Sequence, residues 1–227
     1  MKERFIKSGS KKLLDKVFGS GKEKLLIYPG FPGVNENLPL LENMVKNGFE
    51  CHSISYSGIR KSSGEFSFLD AVKDSIVAAK DVKPNLILGY SYGALYAWHA
   101  SLSSPPNLLI LIEPVTEVDA LWRYYDSRNK KYIEKLMLEA KEVARGDWKK
   151  WIMEQDEMQK YSPILSEMPK CKVICIQGDS DTEIPLEMTK TFCEKRGVDL
   201  HILEGCGHYL EGFHSKIGGI ILQNYKN

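Results

Sequence analysis

The sequence predicts an α/β protein of three layers: an open, mostly parallel sheet of about six strands, helices on both faces, and a helical cap inserted late in the chain. Three observations carry this. Short apolar runs recur between helix-like stretches, most runs are apolar on both sides rather than alternating, and one connection, residues 114–169, far exceeds what a crossover helix needs. A chain of 227 residues with this rhythm is most simply a single domain.

The strands are "KLLIY" (24–28), "FECHSIS" (49–55), "NLILGY" (85–90), "NLLILIE" (107–113), "CKVICIQ" (171–177) and "DLHILE" (199–204). Helices are expected over 36–47, stopped by Asn47-Gly48, and over 68–80, ahead of Pro84. Two more cover 92–103, ahead of Pro105-Pro106, and 186–195, ending near Gly197, and a last one over about 213–225 closes the domain. Short strand–helix–strand links give right-handed crossovers. With the second strand outside the first, the order becomes 2-1-3-4-5-6 and the crevice opens beside the loops after strands one and three. Residues 1–23 read poorly as strands and are expected to be an abbreviated N-terminal segment.

Composition excludes several roles. The 31 basic and 30 acidic residues cancel, so no global field attracts nucleic acid or a membrane. Residues 1–24 carry eight Lys or Arg against three acidic residues but lack the apolar core of a signal peptide, which suits a cytoplasmic protein with a solvated start. The five cysteines are scattered; Cys171 and Cys175 would sit roughly 13 Å apart on one strand, beyond disulfide reach. No zinc spacing, dinucleotide fingerprint or true phosphate loop occurs, so neither metal nor cofactor is expected.

The chemistry concentrates at "NLILGYSYGALYAW" (85–98), where a buried strand turns into a buried helix through Gly89-Tyr90-Ser91-Tyr92-Gly93. A serine on such a sharp corner exposes its hydroxyl, and glycines two residues to either side let strand and helix pass closely. A serine hydroxyl attacks only with a base and an orienting acid at hand. The base is His208 in "GCGHYLEG", directly after the last strand; His52, His99, His201 and His214 lie on strands or in helices and compete weakly. The acid comes from "IQGDSDTEIP", which offers Asp179 and Asp181. In "YPGFPGVNEN", after the first strand, Gly30 and Gly33 permit sharp reversals that aim the N–H of Phe31 inward, and Tyr92 supplies a second N–H at a helix start.

Taken together, these segments resemble the α/β-hydrolase superfamily, its serine esterase and lipase branch, from about Lys24 to the C-terminus. Gly89-Tyr90-Ser91-Tyr92-Gly93 matches the family's nucleophile elbow and "GCGH" its histidine loop. "GDSDTEIP" resembles its acid loop, which assigns the acid to Asp181 rather than Asp179. "YPGFPG" is similar to its oxyanion loop, with Tyr28 and Pro29 replacing the usual His-Gly start, and "YSGIRKSSGEF" (56–66) to its Gly- and Ser-rich turn. The leading antiparallel hairpin usual in the family is expected to be absent or abbreviated. The resemblance implies a serine hydrolase of carboxylic esters, thioesters included, acting through an acyl-enzyme on Ser91 without a cofactor. A lysophospholipid or monoacylglycerol, or a small peptide, is an alternative substrate; from another class, an idle scaffold binding an apolar ligand is a minor alternative.

Within 114–169, Ile133, Leu136, Met137 and Ala140 share one helical face, and Trp148, Trp151 and Ile152 cluster on a second helix. Both junctions of this segment lie beside the catalytic loops, so it is expected to cap the crevice, with Trp122, Tyr124, Tyr125, Trp148 and Trp151 as candidates for the pocket lining. The expected partner is a small acyl ester, and a homodimer through an edge strand or the cap is compatible with the sequence.

Overall fold

The computed structural model describes residues 1–33, 38–128 and 130–226 of the chain, and no side chain of residues 128–135. All six expected strands are present: β3 (Glu23–Tyr28), β4 (Phe49–Ser55), β5 (Leu86–Tyr90), β6 (Leu108–Ile112), β7 (Lys172–Gly178) and β8 (Asp199–Leu203). Two more precede them, β1 (Lys2–Ser8) and β2 (Lys11–Phe18), and the eight form one mixed sheet in the order β1-β2-β4-β3-β5-β6-β7-β8. From β4 to β8 every pairing is parallel, whereas β2 runs antiparallel to both β1 and β4.

The N-terminal hairpin corrects the expectation of an abbreviated start. It turns through Gly9-Ser10, with Gly9 at φ 59°, and pairs in register from Ser8↔Lys11 to Lys2↔Val17. Edge strand β1 buries a single side chain, Ile6, so it shows no alternation to read. Polar contacts fasten it instead: Arg4 bridges Asp15 of β2 and Asp81 at 2.7 Å each, and Ser8 Oγ donates to Asp74 at 3.0 Å.

The central strands read as unbroken apolar runs because both faces are covered. Leu26, Tyr28, Ile87, Leu109, Leu111 and Cys175 point to one side, where α2 (Phe68–Val82), α3 (Tyr92–Ser103) and α7 (Leu186–Arg196) bury them. Their neighbours Leu25, Ile27, Leu86, Leu88, Ile110 and Ile174 point to the other, against α1 (Leu38–Lys46) and α8 (His214–Lys226). This is the two-residue period of a strand with apolar side chains at both phases. Local signals set the helix ends: the Ser67 hydroxyl accepts the Asp70 N–H at the start of α2, and Gly197 closes α7 in the left-handed conformation. The start expected for the first helix at residue 36 lies outside the described residues.

Residues 114–169 form α4 (Val118–Arg128), α5 (Lys130–Lys141), α6 (Trp148–Met158) and a short 3-10 turn, Gln159–Tyr161. Several polar contacts hold this segment to the body. The Arg145 guanidinium donates to the carbonyls of Arg60, Ser62 and Gly64 in the loop after β4, and a single bridge joins Ile59 to Ala144. Deeper, the Glu154 carboxylate accepts from the Ser67 hydroxyl and the Phe68 N–H, both at 2.8 Å.

Candidate active site

Ser91 sits between β5 and α3 at φ 55°, ψ −124°, a conformation a side-chain-bearing residue adopts only at a cost of about 1–3 kcal/mol. Hydrogen bonds hold it there. Its N–H donates to Ile112 O at 2.9 Å, and its carbonyl accepts from Ala94 and Val115 at 3.0 and 3.1 Å. The flanking glycines are required by close approach: a Cβ on Gly89 would lie 2.4 Å from Gly93 O, and one on Gly93 would lie 2.0 Å from Tyr28 O. The bends expected from Gly89-x-Ser91-x-Gly93 are therefore built by backbone contact.

His208 follows β8 and Asp181 follows β7, and the structure brings them together, with His208 Nδ1 2.8 Å from Asp181 Oδ2. The carboxylate is in turn fixed by the N–H groups of Glu183 and Ile184, at 2.7 and 3.0 Å, and by the Gln177 amide at 3.2 Å. Burial raises the Asp181 carboxyl, but hydrogen bonds from His208, Glu113 and Ile184 outweigh it and leave the group below its ordinary value. Asp181 is thus an anion at neutral pH; with Nδ1 donating to it, Nε2 of His208 is left as the proton acceptor. Asp179 is placed differently, accepting the Gly205 N–H at 2.8 Å and shaping the approach to the histidine loop.

Ser91 and His208 line one cavity of about 320 Å³, and no hydrogen bond joins the two side chains. Such contacts commonly tighten only when substrate binds. Phe31 and Tyr92 also line the cavity, and among the described residues no acceptor takes either backbone N–H. The other four histidines lie elsewhere: His52 is buried between Asp15 and Glu50, His99 bonds to Tyr161 O, His201 meets Asn224, and His214 begins α8.

The cap contributes Trp122 and Tyr125 from α4, and Leu136, Met137 and Ala140 from α5. The other three aromatic candidates are not in the lining. Trp151 is fully buried, donates to Phe66 O at 2.9 Å and packs against the Phe66 and Phe31 rings, so it fastens cap to body. Tyr124 donates to Thr182 O, and Trp148 packs partly buried against the same core as Trp151. Of the face expected from Ile133 onward, Ile133 lies outside the described side chains. Trp122 Nε1 donates to Gln155 at 2.8 Å, and the Tyr92 hydroxyl donates to the same oxygen.

The sequence assigns no role to two neighbours of the site, Tyr90, within the Gly89–Gly93 corner, and Glu113. The Tyr90 hydroxyl donates to the His208 carbonyl, anchoring that loop. Glu113, the charged end of an apolar strand, is fully buried at φ 45°; its Oε1 accepts the Gly178 N–H at 2.8 Å, while Oε2 meets no donor. Burial, and then the adjacent Asp181, push its carboxyl up to about 10. Glu113, Asp181 and His208 place their ligand atoms within 4.8 Å of one another. Asp181 already accepts several internal hydrogen bonds and burial favours the neutral form of Glu113, so the trio reads as a proton-sharing group rather than a cation cage. A carboxylate closing an otherwise apolar run, just before Pro114, is the one sequence signal that could have marked it.

Residues 25–214 match the Alpha/beta hydrolase family, and the chain belongs to it. The fold is similar to that of alpha/beta hydrolase domain-containing protein 10 from mouse, at TM-score 0.77 and 18% identity over 100% of this chain and 99% of that one. It is also similar to Est1E from Butyrivibrio proteoclasticus with bound ferulic acid, at TM-score 0.76 and 13% identity over 99% and 100% of the two chains. An esterase from Exiguobacterium antarcticum, EaEST, aligns at TM-score 0.68 and 17% identity over 98% and 99%. At these identities the likeness is one of fold. No curated protein matches the sequence.

Proposed function

We propose that the chain is a serine hydrolase of carboxylic esters that works through an acyl-enzyme on Ser91. The observation that carries this reading is the 2.8 Å His208–Asp181 bond, beside a serine held at a left-handed corner, with serine and histidine opening on one cavity. In this mechanism Nε2 of His208 takes the Ser91 proton as Oγ attacks the ester carbon, and Asp181 stabilises the imidazolium that forms. The N–H groups of Phe31 and Tyr92 receive the developing oxyanion, a role in which each donor is worth about 10²–10³ in rate. His208 then protonates the departing alcohol, and a water it activates releases the acid and restores Ser91.

The cavity wall supports an apolar acyl group, since Phe31, Phe68, Trp122, Tyr125 and Met137 face it. Two of the structural neighbours are named as an esterase and a carboxylesterase, in keeping with this choice within a family of many reactions. Among the described residues no helix is long and apolar enough to cross a membrane, and all five cysteines are free thiols, in keeping with a cytoplasmic enzyme.

The test is a series of p-nitrophenyl esters of increasing acyl length, assayed with the wild-type protein and with Ser91→Ala. The reading expects measurable turnover with a preferred chain length, and a fall of roughly 10⁴-fold or more on losing the serine. Binding of the same esters without turnover in the wild type would instead favour an apolar-ligand scaffold.

A further inference from the structure

Two carboxyl groups stand behind His208, and the mechanism above uses one of them. Glu113 comes from the end of β6 and Asp181 from the loop after β7, so parallel register delivers both to the same spot. Glu113 is held there firmly. Its N–H donates to Ile176 O at 3.0 Å, its Oε1 takes the Gly178 N–H, and no part of it reaches solvent. If it were ionised, Oε2 would be a dry, unpartnered negative oxygen beside a second carboxylate. The titratable groups facing it are Asp181, His208, Tyr90 and Cys206, none of which is a permanent cation.

We infer that Glu113 is a positioning residue for the His208–Asp181 pair: its carboxylic acid hydroxyl donates to the Asp181 carboxylate, so the two carboxyls hold one proton and one negative charge between them. This rests on the serine-hydrolase reading for its purpose. A second negative charge behind His208 would favour its imidazolium over the neutral base that must accept the Ser91 proton. With one, it is oriented and still free to act as a base. The proton is trapped because releasing it would bury a second charge in the same dry site. Its raised affinity, noted above, is the electrostatic counterpart of that geometry.

The first test needs no variant and no activity. With glutamate carboxyls carbon-13 labelled in the wild-type protein, one Glu resonance is expected to keep the protonated shift from pH 5 to pH 9, while exposed glutamates titrate in the ordinary carboxylate range. Complete ionisation of every glutamate by pH 7 overturns the inference. A second test reads the role. Glu113→Gln keeps a donor toward Asp181 and cannot ionise, so the acid limb of the pH profile for fluorophosphonate labelling should stay within about 0.3 pH unit of wild type. A displacement of about one unit toward acid would mean that a negative charge had been removed from beside His208, and that Glu113 had been ionised. A wild-type protein that never labels while one Glu stays protonated would sink the hydrolase reading and uphold the shared proton.

Discussion

A hydroxyl becomes a nucleophile only through its neighbours, so the sharpest expectations attach to single side chains around Ser91. Asp181 and Asp179 are two residues apart yet differ in what they hold: one bonds the imidazole, the other a loop N–H. Asp181→Asn should lower kcat by about 10⁴-fold by imposing the wrong histidine tautomer, whereas Asp179→Asn should cost far less. The reverse order in steady-state assays would exchange their roles. Glu113 gives a pH-dependent prediction. Burial beside Asp181 pushes its carboxyl from the ordinary 4.5 of the unfolded chain up to about 10 in the folded one. Over pH 5 to 9 the folded state alone retains this proton, so stability falls as pH rises. The stability of Glu113→Gln relative to wild type should therefore rise with pH above 5, by up to about 1.4 kcal/mol per unit, and stay constant below pH 4. Denaturant melts across that range provide the check.

At the scale of elements, the N-terminal hairpin and the cap owe their places to different forces. The hairpin is stapled by Asp15, fully buried, which receives Arg4 of β1 at 2.7 Å and His52 of β4 at 2.8 Å. Asp15→Ala removes one acidic partner each from Arg4 and His52, which keep Asp81 and Glu50, and should cost about 2 kcal/mol in a denaturant melt, with the Ser91 labelling rate of the folded fraction unchanged. A comparable fall in labelling would tie the hairpin to the site. The cap depends on aromatic packing, and its tryptophans divide by position. Trp122→Ala opens the cavity wall and should shift the preferred acyl length, each buried methylene being worth about 0.8 kcal/mol. Trp151→Ala should lower stability by about 3–5 kcal/mol and leave the length profile unchanged. Melting and kcat/KM measured on both variants separate wall from fastener. The sequence did not distinguish the two because facing depends on how α4 and α6 dock, which no helical periodicity encodes.

Across the whole molecule, parallel topology gathers the chemistry: β3, β5, β7 and β8 all deliver their C-terminal loops to one edge, and α4 and α5 roof it. What was legible in the sequence follows from this. Central strands buried on both faces appear as apolar runs, and a serine, an aspartate loop and a histidine follow three successive strands, so chain order suggested Ser91, His208 and either Asp179 or Asp181, and the family resemblance chose Asp181. Strand β1 was illegible because ion pairs from α2 and β2 hold it, with Ile6 as its one buried anchor. Glu113 was illegible because its direction depends on the β6–β7 register and on a backbone at φ 45°. The central claim, that Ser91 is the covalent nucleophile, is tested most directly by treating the protein with a fluorophosphonate, digesting it and locating the adduct by mass spectrometry. The account predicts one phosphonyl group per molecule, on Ser91, and none on the Ser91→Ala protein. Stoichiometric labelling of Ser91→Ala at the wild-type rate, or an adduct on any other residue, would contradict it.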